Sequence, residues 1–207
     1  MPRREVRITG YGGQGIILTG YIFGKAAAIY DERHSTMTQS FGPEARGSAC
    51  SAALVLDDRV IAYPYLRQTD VLIALSREGY DKYEAELRED GVLIYDQDLV
   101  EPAPARGTIQ MHGIPAARIA EDLGKRIVQN IVVVGYATAV TGVVSKEAAQ
   151  KAVESSVPSA LVELNLKAFE KGYEFHEQSG GSGDRGRDHG DTDVSGSRES
   201  RVSGTPG

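Results

Sequence analysis

The sequence contains a single cysteine, Cys50, among its 207 residues. One cysteine excludes an internal disulfide, and it excludes an iron-sulfur cluster or a structural zinc site built from several thiolates of this chain. The motifs HExxH, GxSxG and GxxxxGK[ST] are missing as well. No two of the four histidines stand four residues apart, the helical spacing that would favour a metal site. We therefore expect no catalytic residue and no metal ligand in this chain, and we expect another component to carry any redox chemistry.

The sequence also lacks a long hydrophobic run. No apolar segment approaches the roughly 20 residues that a membrane-spanning helix needs, and the amino terminus has no apolar signal core. A surplus of basic residues is missing too, since the formal net charge is -6, whereas proteins that bind nucleic acid cluster Lys and Arg. These absences predict a soluble, cytoplasmic protein with neither nucleic acid nor membrane as a partner.

The length of the chain suits one well-buried domain followed by a tail. After about His176 the composition changes to Gly, Ser, Asp and Arg with few aliphatic residues. A segment of this kind cannot bury enough apolar surface to fold. We therefore predict one domain over residues 1–176 and a disordered tail over residues 177–207.

Strand and helix patterns alternate along the predicted domain. Residues 5–9 alternate apolar and polar side chains, which is typical of a strand, and residues 14–30 follow as a helix. In that helix Gly20, Gly24 and Ala28 recur at every fourth position, so one ridge of its backbone could lie close to a sheet.

The same hydrophobic patterns predict the strands and helices of the rest of the domain. Further strands are predicted over 34–41, 48–56, 69–76, 91–96 and 107–115, with a hairpin turn at 57–59 leading into 60–64. Helices are predicted over 78–88, from Pro115, and over 129–141, 145–154 and 158–175. This order predicts an α/β fold, a single Rossmann-like domain whose largely parallel sheet is flanked by helices, with an antiparallel hairpin at one side.

The glycine-rich stretch "TGYGGQGI" lies between the first strand and the first helix, at residues 9–16. Free backbone N–H groups and the positive end of a helix dipole converge at such a turn, which favours an anion and above all a phosphate. Gly10, Gly12 and Gly15 also match the dinucleotide pattern GxGxxG. The loop, with Gly13 and Gln14, is therefore a candidate phosphate site.

Two other interpretations of this loop stay open. A nicotinamide site needs an acidic residue near the end of the second strand, whereas Asp31 and Glu32 precede that strand, which counts against NAD. Alternatively, the glycines serve only to let strand and helix pack closely, and Gln14 shields the loop with its amide.

A second unusual stretch, "TQSFGPEARGS", covers residues 38–48. Glu44 and Arg46 flank a turn restricted by Pro43, close to Ser40. Arg46 could bind a carboxylate or phosphate through two parallel hydrogen bonds, or it could pair locally with Glu44 on a solvated loop. Because the loops after the first two strands lie at the same edge of a doubly wound sheet, both stretches could face one cleft or one partner.

Together, "GYGGQGIILTG" and "TQSFGPEARGS" resemble the gamma subunit of 2-oxoacid:ferredoxin oxidoreductases, above all the 2-oxoglutarate branch. The resemblance extends in pattern to about residue 175. Ser48 departs from it, because the family usually has a second glycine after the arginine, and Phe41 departs from it by replacing the frequent tyrosine. The identity of the 2-oxoacid is not determined by the sequence, although the resemblance favours 2-oxoglutarate.

The resemblance implies a subunit of an oxidoreductase complex that decarboxylates a 2-oxoacid, transfers the acyl group to coenzyme A and reduces ferredoxin. It implies thiamine diphosphate and iron-sulfur clusters in partner subunits, namely alpha and beta, with a ferredoxin-like delta subunit as a further candidate. Our hypothesis is that the loop receives the phosphates of coenzyme A while the second stretch packs toward the thiamine-bearing partner. The site residues are then Gly10, Gly12, Gly13, Gln14, Gly15, Ser40, Glu44 and Arg46. A stand-alone NAD(P)-binding protein and a purely architectural subunit are the alternatives.

Overall fold

The computed structural model describes residues 2–41 and 49–179. Its strands are β1 (Arg4–Tyr11), β2 (His34–Ser40), β3 (Ala49–Asp57), β4 (Thr69–Ala74), β5 (Leu87–Asp96) and β6 (Gln110–Ile114). Its helices are α1 (Ile16–Lys25), α2 (Arg77–Tyr83), α3 (Ala116–Asp122), α4 (Gln129–Thr141), α5 (Lys146–Glu154) and α6 (Val162–Ser179). None of these helices is long and apolar enough to cross a membrane.

One sheet of six strands has the order β2-β3-β1-β4-β5-β6. Strands β1, β4, β5 and β6 pair in parallel, whereas β3 is antiparallel to both β1 and β2. Five strands therefore run in one direction, and the β2–β3 hairpin forms one side of the sheet. The predicted α/β class, with a mainly parallel sheet between helices, is confirmed. The order differs from that of dinucleotide-binding sheets, 3-2-1-4-5-6, because an antiparallel strand lies next to β1.

The hydrophobic core lies mainly on one face of the sheet. Val6 and Ile8 of β1 point toward α1, α4, α5 and α6, while α2 covers part of the opposite face through Tyr80 and Tyr83. Helix α4 is buried on all sides from Asn130 to Thr138, as expected of a central helix.

Helix α1 approaches the β2–β3 hairpin through its glycines. A Cβ atom added to Gly20 would lie 2.8 Å from the Cβ of Ala52, and one added to Gly24 would lie 3.1 Å from Oγ of Ser35. The backbone of α1 therefore lies close to the sheet at these two positions, as predicted. Ala28 is exposed and does not continue the ridge, because residues Ala26–Tyr30 form a wider π-helical turn that rotates the following side chains.

Two glycines bring α4 and α6 into backbone contact. A Cβ atom added to Gly135 would lie 2.8 Å from the carbonyl carbon of Phe169, and one added to Gly172 would lie 2.8 Å from that of Val132. Side chains at either position would force the two helices apart. This crossing fixes α4, whose first turn lies beside the glycine loop.

Several sequence predictions differ from the structure. The helix predicted over 78–88 ends at Tyr83, and residues 87–88 belong to β5 because Leu87 is buried and pairs with Thr69 of β4. Residues 60–64 form no strand, and the chain has no regular structure between Asp57 and Thr69, because the exposed segment finds no neighbouring strand with which to pair. Helix α6 continues to Ser179, beyond the predicted domain boundary at residue 176. Most of the second sequence motif and residues 180–207 lie outside the described residues, so the disorder of the tail stays a prediction.

Candidate functional site

The glycine loop lies at the carboxyl edge of the sheet. Its strand β1 ends at Tyr11, and β4 ends beside it at Ala74. The chain continues from β1 through α1 toward β2 on one side, and from β4 through α2 toward β5 on the other. Such a point, where successive connections diverge, is the usual ligand crevice of an open α/β sheet.

The side chain of Gln14 bridges this crevice. Its Oε1 accepts a hydrogen bond from the backbone N–H of Tyr11 at 2.6 Å, and its Nε2 donates to the carbonyl oxygen of Leu75 at 2.8 Å. The backbone N–H of Gln14 donates in turn to the carbonyl of Tyr11 at 3.2 Å. The amide of Gln14 therefore holds the loop to the ends of both strands.

Glycine is required at different positions of the loop for different structural reasons. A Cβ atom at Gly10 would lie 2.7 Å from Cδ1 of Ile16, so this position needs a glycine for packing. Gly13 (φ +99°) and Gly15 (φ +73°) adopt left-handed conformations that favour glycine. A side chain on Gly13 would meet nothing within 4 Å, so the loop is open on that side.

Several backbone amides of the loop have no acceptor. Gly12 and Gly13 donate no hydrogen bond to any residue that the structure describes. The first turn of α1 cannot be satisfied from within the helix, Gly15 provides no side-chain cap, and the turn holds no acidic residue. By contrast, α2 and α5 have serine caps and a glutamate in their first turns. The amino terminus of α1 therefore keeps a positive potential and free donors.

Asn130 packs against the end of this loop. A Cβ atom on Gly15 would lie 2.7 Å from Cγ of Asn130 and 2.8 Å from its Nδ2. The sequence analysis missed Asn130. The available signal was a single amide residue at the start of the apolar run "NIVVVGYA".

The second stretch lies only partly within the described residues. Ser40 ends β2 and is exposed, and both Ser40 and Thr9 are opposite Ser51 of β3. The ends of β1 and β2 thus share one edge, with Ser40 and Thr9 two strands or roughly 10 Å apart. Glu44 and Arg46 lie outside the described residues.

The acidic residues before β2 are placed away from a ribose site. Asp31 accepts hydrogen bonds from the backbone N–H and the Oγ of Ser145 at 2.9 and 2.7 Å. Ser145 caps α5 by accepting from the N–H of Ala148. Asp31 therefore stabilises the start of α5.

The single cysteine has the properties of a packing residue. Cys50 is partly buried in β3, opposite Gly10, and contacts the core. Burial raises the pKa of its thiol above its ordinary value, which disfavours the thiolate that a nucleophile requires. Within residues 2–41 and 49–179, no group of three His, Cys, Asp or Glu side chains could hold a metal ion.

The chain is similar to known proteins of one family over most of its length. The family described as pyruvate ferredoxin/flavodoxin oxidoreductase matches residues 5–175. The chain is 47% identical over 178 residues to the 2-oxoglutarate synthase subunit KorC of Methanocaldococcus jannaschii, a match that covers 85% of this chain and 95% of the relative.

Solved structures have the same fold. The gamma subunit of a keto/oxoacid ferredoxin oxidoreductase from Geobacter sulfurreducens is 48% identical with a TM-score of 0.73, and the match covers 83% of this chain and 96% of that one. A 2-oxoglutarate:ferredoxin oxidoreductase from Magnetococcus marinus, solved with 2-oxoglutarate, coenzyme A and succinyl-CoA bound, has a TM-score of 0.79 at 20% identity. That match covers 86% of this chain and 32% of the larger one.

Proposed function

Because the chain belongs to the pyruvate ferredoxin/flavodoxin oxidoreductase family, as a gamma-type subunit, we propose that its glycine loop binds coenzyme A for a 2-oxoacid:ferredoxin oxidoreductase complex. The complex would convert a 2-oxoacid, with 2-oxoglutarate favoured, to acyl-CoA and CO2 while reducing ferredoxin. The 2-oxoglutarate preference is supported by the similarity to KorC. We further propose that the complex is cytoplasmic.

The observation that carries this proposal is the set of free donors around Gly12 and Gly13. Their amides and the uncapped start of α1 have no acceptor among the described residues. A phosphate or pyrophosphate accepts several hydrogen bonds and carries the charge that a helix amino terminus attracts. Coenzyme A carries both a pyrophosphate and a 3′-phosphate, so it matches the chemistry of the loop.

The remaining predicted residues have supporting roles in this proposal. Gln14 orients the loop through its bonds to Tyr11 and Leu75. Ser40 lies at the same edge of the sheet, and we propose that the second stretch, with Glu44 and Arg46, contacts the partner subunits. Thiamine diphosphate and the iron-sulfur clusters belong to those partners, which would be alpha and beta and, as a further candidate, a ferredoxin-like delta subunit.

A stand-alone NAD(P)-binding function is less well supported. Asp31 precedes β2, whereas a dinucleotide site requires an acidic residue near the end of that strand, and Asp31 is engaged with Ser145. Size-exclusion chromatography of native extract provides a simple test, because this alternative predicts a lone species near 22.2 kDa.

Substitution at Gly12 tests the proposal in the assembled complex. Gly12 is exposed and is not among the glycines with positive φ, so its backbone accepts a side chain. Gly12→Asp places a negative charge beside the free amides, whereas Gly12→Asn has nearly the same shape without the charge. We expect the KM for coenzyme A to be about tenfold higher for the Asp variant than for the Asn variant, equivalent to about 1.4 kcal/mol. The KM for the 2-oxoacid should not change.

The architectural alternative predicts a different result. If the loop serves only an interface, the variants should dissociate the complex, and the KM for coenzyme A should be unchanged in whatever complex remains. Equal values for Gly12→Asp and Gly12→Asn in an assembled complex would contradict the proposal.

A further inference from the structure

Asn130 has a polar side chain without a hydrogen-bond partner. The residue is only 4% exposed, and its Nδ2 is buried with no acceptor. A buried amide in this state costs about 1–3 kcal/mol relative to a satisfied one. Folding alone therefore gives no reason for an asparagine at this position.

The position of Asn130 is fixed from both sides. On one side it lies in the first turn of α4, which the crossing at Gly135 and Gly172 holds against α6. On the other side it lies against Gly15, the residue before α1, where a Cβ atom would come within 2.7–2.8 Å of three of its atoms. Any other residue at position 15 would displace the amide of Asn130. The glycine thus leaves space for the asparagine at the amino terminus of α1.

The free donors of the loop and the free amide of Asn130 are therefore neighbours. Gly12, Gly13 and the first turn of α1 have unsatisfied N–H groups, and Asn130 adds a side-chain donor to the same end of the helix. A helix amino terminus by itself attracts anions weakly. An additional donor in a fixed position strengthens the binding and orients the bound anion.

We infer that Asn130 is a binding residue for a phosphate group at the glycine loop, and that its side-chain amide donates a hydrogen bond to a phosphate oxygen of coenzyme A. This inference rests on the proposed function and adds to it a residue from a distant part of the chain. A rotation of the amide by half a turn exchanges Nδ2 and Oδ1 without changing the shape of the side chain. Only the orientation that turns Nδ2 toward the loop can donate to a phosphate oxygen, because Oδ1 is an acceptor.

The test is a substitution that removes the amide and leaves the backbone unchanged. Asn130→Ala in the assembled complex should raise the KM for coenzyme A by about 10- to 100-fold, the range of one hydrogen bond to a charged group. The KM for the 2-oxoacid should remain within about twofold of the wild-type value. Because the amide is unsatisfied without ligand, the thermal midpoint of the ligand-free complex should not fall. Gln129→Ala, one residue earlier in the same helix, is the matched control and should change neither quantity.

The outcomes distinguish this inference from the proposed function. A lower thermal midpoint with an unchanged KM for coenzyme A would assign Asn130 a structural role and would overturn the inference. If Gly12→Asp raises the KM and Asn130→Ala does not, the inference fails while the proposed function stands. If Asn130→Ala raises it and Gly12→Asp does not, the role of the glycine loop is contradicted instead.

A second variant covers the case in which Asn130→Ala does not assemble. Asn130→Asp keeps the shape of the side chain but replaces the donor with a carboxylate, which repels phosphate. Supplied with saturating 2-oxoacid, the assembled variant should require at least about tenfold more coenzyme A than wild type for half-maximal rate. An unchanged requirement would overturn the inference.

Discussion

The side-chain Nε2 of Gln14 donates to the carbonyl oxygen of Leu75 across 2.8 Å, and this bond ties the glycine loop to the end of β4. The same amide accepts from Tyr11 at 2.6 Å. One side chain thus fixes the loop while the backbone amides of Gly12 and Gly13 stay free of acceptors among the described residues. The side chain of Gln14 therefore holds the loop in place and leaves the backbone N–H groups of Gly12 and Gly13 available to a ligand.

Replacing Gln14 by Glu should loosen the loop. A carboxylate still accepts from the Tyr11 N–H but cannot donate to Leu75, and it lies near a carbonyl oxygen of like partial charge. We expect faster hydrogen exchange at the hydrogen-bonded backbone N–H groups of Tyr11 and residue 14, and an increase in the KM for coenzyme A, in the assembled complex. Gln110→Glu, at the exposed start of β6 and the opposite edge of the sheet, is the control and should leave both unchanged. Unaltered exchange in the Gln14 variant would show that the amide does not hold the loop.

Replacing Gly135 by Ala should destabilise the domain. The added methyl group would contact the backbone of Phe169, and separating α4 from α6 should lower the free energy of unfolding by about 1–3 kcal/mol. Urea denaturation of the full chain measures this change. The comparison variant is Ala139→Gly, which tests helix propensity alone in α4 and should cost at most about 1 kcal/mol. A Gly135→Ala protein as stable as wild type would mean that the two helices are less close than described.

The stability of the domain should decrease below neutral pH because of His112. Burial and the neighbouring His176 hold the pKa of His112 below its ordinary value of 6.5. The unfolded chain therefore takes up a proton at higher pH than the folded one, and the free energy of unfolding falls as the pH decreases below about 6.5. His112→Gln should reduce this decrease, whereas His34→Gln, at the exposed start of β2, should retain it. Parallel pH profiles for wild type and His112→Gln would contradict the assignment.

Asp31 should contribute to stability and not to cofactor binding. Asp31→Ala removes two hydrogen bonds to Ser145 at the start of α5, and we expect the free energy of unfolding to fall by about 0.5–2 kcal/mol. The KM for coenzyme A should be unaffected. Glu32→Gln is the neighbouring control and should change neither value. A selective loss of nucleotide binding in Asp31→Ala would instead support the NAD(P) alternative.

Much of the fold follows from local sequence patterns. The continuous apolar run of β4 predicts a buried strand, and this strand is present. The four-residue spacing of Gly20 and Gly24 predicts a helix that packs closely on the sheet, and this contact is present as well. The wider turn at Ala26–Tyr30 could not be predicted, because it depends on hydrogen bonds at the helix end and on packing against α5. The resemblance to the gamma subunits is confirmed by the family match and by the similarity to KorC.

The candidate site could be predicted in part. The glycine pattern predicted a turn with free amides, since positive φ values and close approach favour glycine. The role of Asn130 could not be predicted, because 115 positions separate it from Gly15 and only the tertiary packing brings them together. Likewise, the two partners of Gln14 become visible only when β1 and β4 are adjacent.

The most direct measurement is an experimental structure of the assembled complex with coenzyme A bound. The account predicts a phosphate oxygen within about 3.2 Å of the backbone nitrogen of Gly12 or Gly13, the range of a hydrogen bond. Bound coenzyme A with its phosphates elsewhere, while backbone carbonyls of a partner subunit occupy these amides, would contradict it.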